Sequence, residues 1–238
     1  MRKDITIKGS SNKYNKWMIV YEKNIDRLNN YKKINKDIDC NKFSAIDTIT
    51  YYDKYLKFSL DNNYTTINYI NKYKHLPGKL GCNLSHQLLL ENILQNSSTD
   101  WNLILEDDIK LNNYDEDIIQ EILKQANNNN SKYIQLYTNN KFLKEQKKQK
   151  KVFHNLYKMN PQWHTTAYFI NKSGINILIK NYPIIKNIDI EFGILINELN
   201  SLCWINNIFL NLGSKDSKNK KSDDNNFGSL IWDNKIIK

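Results

Sequence analysis

The feature that most constrains this chain is a short apolar run that ends abruptly in acid. Trp101-Asn102-Leu103-Ile104-Leu105 is followed without a break by Glu106, Asp107 and Asp108. An apolar, β-prone run of this length, flanked by polar sequence, reads as a buried strand. In open α/β sheets ligands bind at the carboxyl ends of the strands, where these three acids emerge. Side chains alternate along a strand, which puts Glu106 and Asp108 on one side and Asp107 on the other. Two carboxylates on one side repel each other unless a cation lies between them. Hard oxygen donors suit Mn2+ or Mg2+, and such an ion can hold a diphosphate and stabilise it as a leaving group. The plain alternative is a solvated loop or a helix cap.

The rest of the chain alternates strand-like and helix-like segments. Strands are expected over 17–21, 43–47, 101–105, 132–137 and 167–170. Helical spacing of apolar residues runs over 84–94, from Ile118 to Leu123, and over 173–180. Pro77-Gly78 is a turn signal, and 202–212 is apolar again. The tyrosine-rich stretch 51–73 shows no usable period. Residues 141–151 are rich in lysine and read as a solvated loop, or as a lid for an anionic acceptor. The Ser/Lys/Asp/Asn run at 213–227 reads as a mobile loop. This alternation argues for an α/β domain with a mixed, mostly parallel sheet flanked by helices, and 1–238 is expected to form one such domain.

Charge is where the composition could mislead. The formal net charge is +10 and the pI about 9.2, which invites a nucleic-acid reading. But there are 38 asparagines, and Arg2 and Arg27 are the only arginines beside 33 lysines. That is the codon signature of an AT-rich genome, and the lysines are dispersed rather than gathered in a motif. No nucleic-acid partner is therefore expected, and a basic nucleic-acid-binding protein without catalysis is the alternative. Three cysteines with no CxxC pair give neither a disulfide framework nor a zinc finger, and point to a reducing compartment. Met1 to Ser11 contains no apolar run of signal-peptide length. A cytoplasmic protein is expected, with peripheral membrane contact through lysines still open.

About twenty residues before the acidic strand end stands Leu80-Gly81-Cys82-Asn83-Leu84-Ser85-His86. This segment, a short helix, and then Leu103-Ile104-Leu105-Glu106-Asp107-Asp108 resemble glycosyltransferase family 25, which includes lipopolysaccharide galactosyltransferases and collagen galactosyltransferases. Further stretches are similar in family order. They are Ile25-Asp26-Arg27, Ala45-Ile46-Asp47 (with Thr48 where the family usually has glycine), Thr166 to Gly174, and Asn187-Ile188-Asp189. The resemblance spans roughly 17–212. It implies a GT-A-like (Rossmann-like) nucleotide-sugar-binding domain. The implied reaction is inverting and uses Mn2+ (or Mg2+). It moves galactose or glucose from a UDP-sugar to a hydroxyl of a glycan or a collagen-like acceptor.

The same resemblance implies residue roles. Asp108 is the candidate metal ligand, with Glu106 as a second ligand or a contact to ribose; Asp107 is structural. Ser85 and His86 are expected in the first turn of a helix, where free N–H groups and the dipole suit phosphates; otherwise Ser85 caps and His86 packs. Arg27 offers a planar fork for diphosphate or uracil. Asp47 is a candidate for base or ribose, or a turn residue. Asp189 is the candidate catalytic base, with Glu191 on the same strand face as the alternative. His164, beside Trp163, could serve as base or ligand, and Asp216, Asp223 or Asp224 could complete the metal shell. A transferase that binds sugar nucleotide without turnover is a further alternative.

Overall fold

A computed structural model describes residues 14–212 except 74, 75 and 163. Trp163, the run 213–227 with Asp216, Asp223 and Asp224, and the segment Met1 to Ser11 lie outside the described residues.

The elements in chain order are β1 (Tyr14–Val20), α1 (Ile25–Ile38), β2 (Asn41–Ser44), α2 (Tyr52–Asp61), α3 (Ile67–Tyr73) and α4 (Pro77–Asn96). Next come β3 (Trp101–Glu106), β4 (Ile109–Leu111), α5 (Glu116–Asn128), β5 (Tyr133–Gln135), α6 (Asn140–Gln146), β6 (Lys151–Phe153) and β7 (Leu156–Lys158). The chain continues with β8 (Ala167–Asn171), α7 (Lys172–Lys180), α8 (Ile188–Ile194), β9 (Leu202–Trp204) and β10 (Phe209–Asn211). Eight strands form one sheet in the order β2-β1-β3-β8-β5-β9-β7-β6. β1 pairs in parallel with β2 and β3, and β5 with β9, while β8 and β7 run against their neighbours. β4 and β10 form a separate antiparallel pair. The result is an α/β fold with a large mixed sheet flanked by helices, consistent with a Rossmann-like glycosyltransferase domain.

The period of two in the strands sorts residues between the two faces. Met18, Val20, Leu103, Leu105 and Phe169 pack on one side with Ile34 and Ile38 of α1 and Ile119, Ile122 and Leu123 of α5. Trp17, Ile19, Ile104, Tyr168 and Ile170 pack on the other with Leu89, Leu90 and Ile93 of α4 and with α7 and α8. A smaller cluster joins Tyr64, Tyr69 and Ile70 to Leu80 and Leu84 of α4. α4 is thus enclosed on several sides, and its polar Asn83, Ser85, His86 and Gln87 are buried along with its leucines. No helix among the described residues is long and apolar enough to cross a membrane.

Several local expectations change. Pro77 is the first residue of α4 rather than part of a turn, a position where its missing N–H costs nothing. The tyrosine-rich stretch folds as α2 and α3. The lysine-rich stretch is helical at its start rather than a loop. Asn139 caps α6, and buried Gln146 donates to Lys158 O at 2.6 Å and accepts from Asn160 N at 2.9 Å.

Candidate active site

The carboxyl end of β3 is gripped from both faces of the sheet. Glu106 closes the strand on the face of Ile104, the side covered by α4. Its Oε1 lies 3.2 Å from His86 Nε2 and accepts from Thr165 Oγ1 at 2.6 Å. His86 is 1% exposed, and its Nδ1 is 2.9 Å from the hydroxyl of Tyr168 on β8. Both ring nitrogens therefore have a partner, and the imidazole plane is fixed between two strands. Burial raises the Glu106 pKa, but the hydrogen bonds from His86 and Thr165 and the nearby Arg27 outweigh it and hold the carboxyl below its ordinary value.

The next two acids turn toward α1. Asp107 accepts the Tyr21 N–H at 2.6 Å and pairs with Nη1 of Arg27, while Nη2 reaches Asp108 Oδ2 at 3.4 Å. One turn further along α1, Asn30 Nδ2 donates to the carbonyls of Asp107 and Ile109 at 2.9 and 2.7 Å. Burial raises the Asp107 pKa against the pull of Arg27. Asp108 is pushed up to about 7 by burial, opposed by Arg27 and reinforced by the charges of Glu106 and Asp107.

Two expectations are corrected here. Alternation stops at Glu106, because 107 and 108 form a turn before β4. Asp107 and Asp108 therefore share one guanidinium instead of facing apart. The fork of Arg27, expected to reach diphosphate or uracil, is turned inward onto these acids, because two buried carboxylates require a cation.

Ser85 and His86 are likewise not at a helix start. α4 begins at Pro77, so both lie in its third turn and offer no terminal N–H groups to a phosphate. Their roles follow from side chains. Ser85 Oγ accepts the Ile46 N–H at 2.8 Å and donates to Gly81 O at 2.6 Å. Gly81 passes so close to the same loop that a Cβ would lie 2.5 Å from Thr48 Oγ1 and 2.8 Å from Ile46 O. The spacing Gly-Cys-x-x-Ser-His is therefore two adjacent i,i+4 pairs. Gly81 and Ser85 seat the loop 45–48; Cys82 and His86 face the end of β3.

That loop carries Asp47. Its Oδ1 accepts from Thr50 N at 3.0 Å and Tyr21 Oη at 3.2 Å, and Oδ2 is 2.6 Å from Lys23 Nζ. Burial works to raise its pKa, but Lys23 and Thr50 outweigh it and hold the carboxyl at about 2.

α4 also positions α8. Asn83 Oδ1 accepts the Ile188 N–H at 2.9 Å, and its Nδ2 donates to Lys186 O at 3.2 Å. Asp189 and Glu191 lie in the first turn of α8, not on a strand face. The period-2 pattern Ile188-Asp189-Ile190-Glu191 imitates a strand, but the Asn83 bond starts a helix instead. Burial raises the Asp189 pKa; the Ile190 N–H, which donates to its Oδ1 at 2.8 Å, and the nearby His86 oppose the rise, and the charge of Glu106 adds to it. Glu191 Oε1 is occupied by the N–H groups of Ile185 and Lys186 at 3.3 and 2.9 Å. His164 lies farther round, its carbonyl accepting from Gln135 Nε2 at 2.7 Å and its ring edge-on to Tyr137.

Residues missed from sequence are Asn30, Asn83, Thr165 and Tyr168, together with Cys82 as more than a motif letter. The donor atoms of Cys82, His86 and Glu106 lie within 4.8 Å of one another. The helical spacing of the motif was the signal that could have found Cys82 and Asn83.

The model of glycosyltransferase family 25 (LPS biosynthesis protein) matches residues 14–192. A comparison with curated proteins returns no match.

Proposed function

Because the chain belongs to glycosyltransferase family 25, we propose that it moves a hexose, galactose or glucose, from a UDP-sugar to a hydroxyl of a glycan, with inversion and with a divalent metal. A collagen-like acceptor fits the same chemistry. The observation that carries this reading is the charge balance at the end of β3. Asp107 and Asp108 share one guanidinium, that of Arg27, Glu106 directly precedes them at the end of β3, and Asp108 is pushed up to about 7. A buried group of hard oxygen donors with surplus negative charge fits Mn2+ or Mg2+. Glu106 and Asp108 are the residues that would hold it. When bound, the ion supplies charge neutralisation to the departing UDP.

The chain's own residues do the rest. His86 and Thr165 fix Glu106 in one orientation, and Arg27 keeps the acid turn folded between additions of donor. Asp189 takes the proton from the acceptor hydroxyl as it attacks the anomeric carbon. Its raised pKa makes it a stronger base than an exposed aspartate. Glu191, already holding two backbone N–H groups, is a positioning residue.

The test is nucleotide release from a panel of UDP- and GDP-sugars in the presence of Mn2+. UDP release from one UDP-hexose, lost on chelation and in Asp108→Ala, is the expected result. No release from any donor, or full activity in Asp108→Ala, would overturn the reading.

A further inference from the structure

We propose that Cys82, His86 and Glu106 form a site for a borderline-soft divalent cation of the Zn2+ class, which shares Glu106 with the hard donor pair Glu106 and Asp108 but does not use Asp108. It stands on geometry alone and needs neither the donor nor the acceptor named above. Cys82 and His86 are one helical turn apart on the same face of α4, and both face the end of β3, where Glu106 emerges. The Sγ, imidazole N and carboxylate O atoms all lie within 4.8 Å of one another, and Nε2 is 3.2 Å from Oε1.

Zinc binds sulfur at about 2.3 Å and nitrogen or oxygen at about 2.0–2.2 Å, so tetrahedral ligand atoms sit roughly 3.3–3.8 Å apart. Side-chain rotations of about 1 Å bring these three atoms to that spacing, with the ion replacing the direct His86–Glu106 contact. Thiol, imidazole and carboxylate are a donor set that Mn2+ and Mg2+ do not favour and Zn2+ does. On binding, the Cys82 S–H proton is released to solvent and a sulfur–metal bond takes its place.

The surroundings match those of a metal ligand set. Nδ1 of His86 is held by the Tyr168 hydroxyl at 2.9 Å, which orients the ring and leaves Nε2 for the ion. Thr165 holds Glu106 Oε1. Cys82 and Glu106 are partly exposed, so an ion can enter, and three protein ligands leave a fourth position open. The other two cysteines, Cys40 and Cys203, are buried, and among the described residues neither belongs to such a set.

The experiment uses the full chain under reducing conditions with Co2+ as an optical stand-in for Zn2+. Equimolar Co2+ should give a thiolate-to-cobalt charge-transfer band that Zn2+ abolishes. The band should be lost in Cys82→Ser and survive in Asp108→Ala. In Tyr168→Phe, Co2+ should bind roughly ten- to a hundredfold more weakly. Should Cys82→Ser fail to fold, the unmodified chain still decides: Zn2+ should block alkylation of Cys82, read by peptide mass. Absence of the band, its persistence in Cys82→Ser, its loss in folded Asp108→Ala, or unprotected alkylation would each overturn the site. None of these readouts depends on sugar transfer, so failure here and failure of the transferase reading are separate results.

Discussion

Replacing Gly81 by alanine sets two opposed effects against each other, and the structure says which wins. In a helix interior alanine is favoured over glycine by about 1 kcal/mol. Here, however, the new methyl would stand 2.5 Å from Thr48 Oγ1 and 2.8 Å from Ile46 O, where ordinary contact is 3.4–4 Å. Neither neighbour can yield easily. Thr48 is 1% exposed and donates to Pro77 O at 2.7 Å, so rotating it away breaks a buried hydrogen bond. Ile46 O is backbone, and its own N–H is tied to Ser85. Overpacking costs about 1–3 kcal/mol, and the lost hydrogen bond about 1 kcal/mol more. After the helix gain is subtracted, Gly81→Ala should destabilise the protein by about 1–3 kcal/mol.

Urea denaturation read by far-UV circular dichroism measures this directly, as a lowered midpoint at unchanged slope. In melting temperature the loss is about 2–4 °C per kcal/mol for a chain of this size. A double-mutant cycle with Thr48→Ala identifies the cause, since removing Oγ1 should cut the cost of Gly81→Ala and leave only the clash with Ile46 O. A Gly81→Ala protein as stable as the parent, or more so, would refute the close approach of α4 to the loop. Equal costs in the presence and absence of the Thr48 side chain would refute its assignment to that hydroxyl.

Arg27→Ala should cost about 3–5 kcal/mol, because it leaves Asp107 and Asp108 buried without a cation. Both acids have raised folded pKa values, so the folded state takes up protons first, and the penalty in thermal melts should shrink as pH falls through those values. Asp189→Asn should lower kcat about 10²- to 10⁴-fold with little change in KM, whereas Glu191→Gln should act mainly on stability. In the unaltered protein, activity should fall on acidification at a pH above that of an exposed aspartate, because burial raises the Asp189 pKa; initial-rate pH profiles check this. Asn83→Ala removes the bonds to Ile188 N and Lys186 O and should cost about 1–2 kcal/mol by chemical denaturation, with slower turnover through displaced Asp189.

The strand 101–106 and its acids were legible because a run of β-prone residues buried on both faces needs no partner to be recognised. The start of α4 was not, because its N-cap Leu76 makes no side-chain bond and the one marker there, Pro77, is followed by Gly78 and reads equally well as a turn. Burial all round also erased the usual pattern: Lys79, Asn83, Ser85, His86 and Gln87 are polar, yet they are as enclosed as the leucines. The tyrosine-rich stretch hid two short helices for a related reason, since tyrosine packs its ring and exposes its hydroxyl. Arg27 was correctly singled out as scarce, but one-dimensional reading could not tell a guanidinium aimed at a ligand from one aimed at its own acids. α8 was misread because Asn83, more than a hundred residues earlier, supplies the bond that starts it.

One stretch of helix organises the whole site, and the spacing of its motif explains how. Successive residues on α4 are rotated by about 100°, so Gly81 with Ser85 and Cys82 with His86 form neighbouring stripes, with Asn83 a further step round. The first stripe holds the 45–48 loop, and through it Asp47. The second meets Glu106 and, through it, the acid turn, while Asn83 starts the helix that carries Asp189. Three segments distant in sequence are thus registered against a single rigid rod, and none depends on a mobile loop for its position. An inserted residue between Gly81 and His86 would turn one stripe away from its partners and uncouple the Asp47 loop, the end of β3 and the helix of Asp189 at once. The buried polar residues of α4 make the hydrogen bonds that hold these segments, which leucines in their place could not.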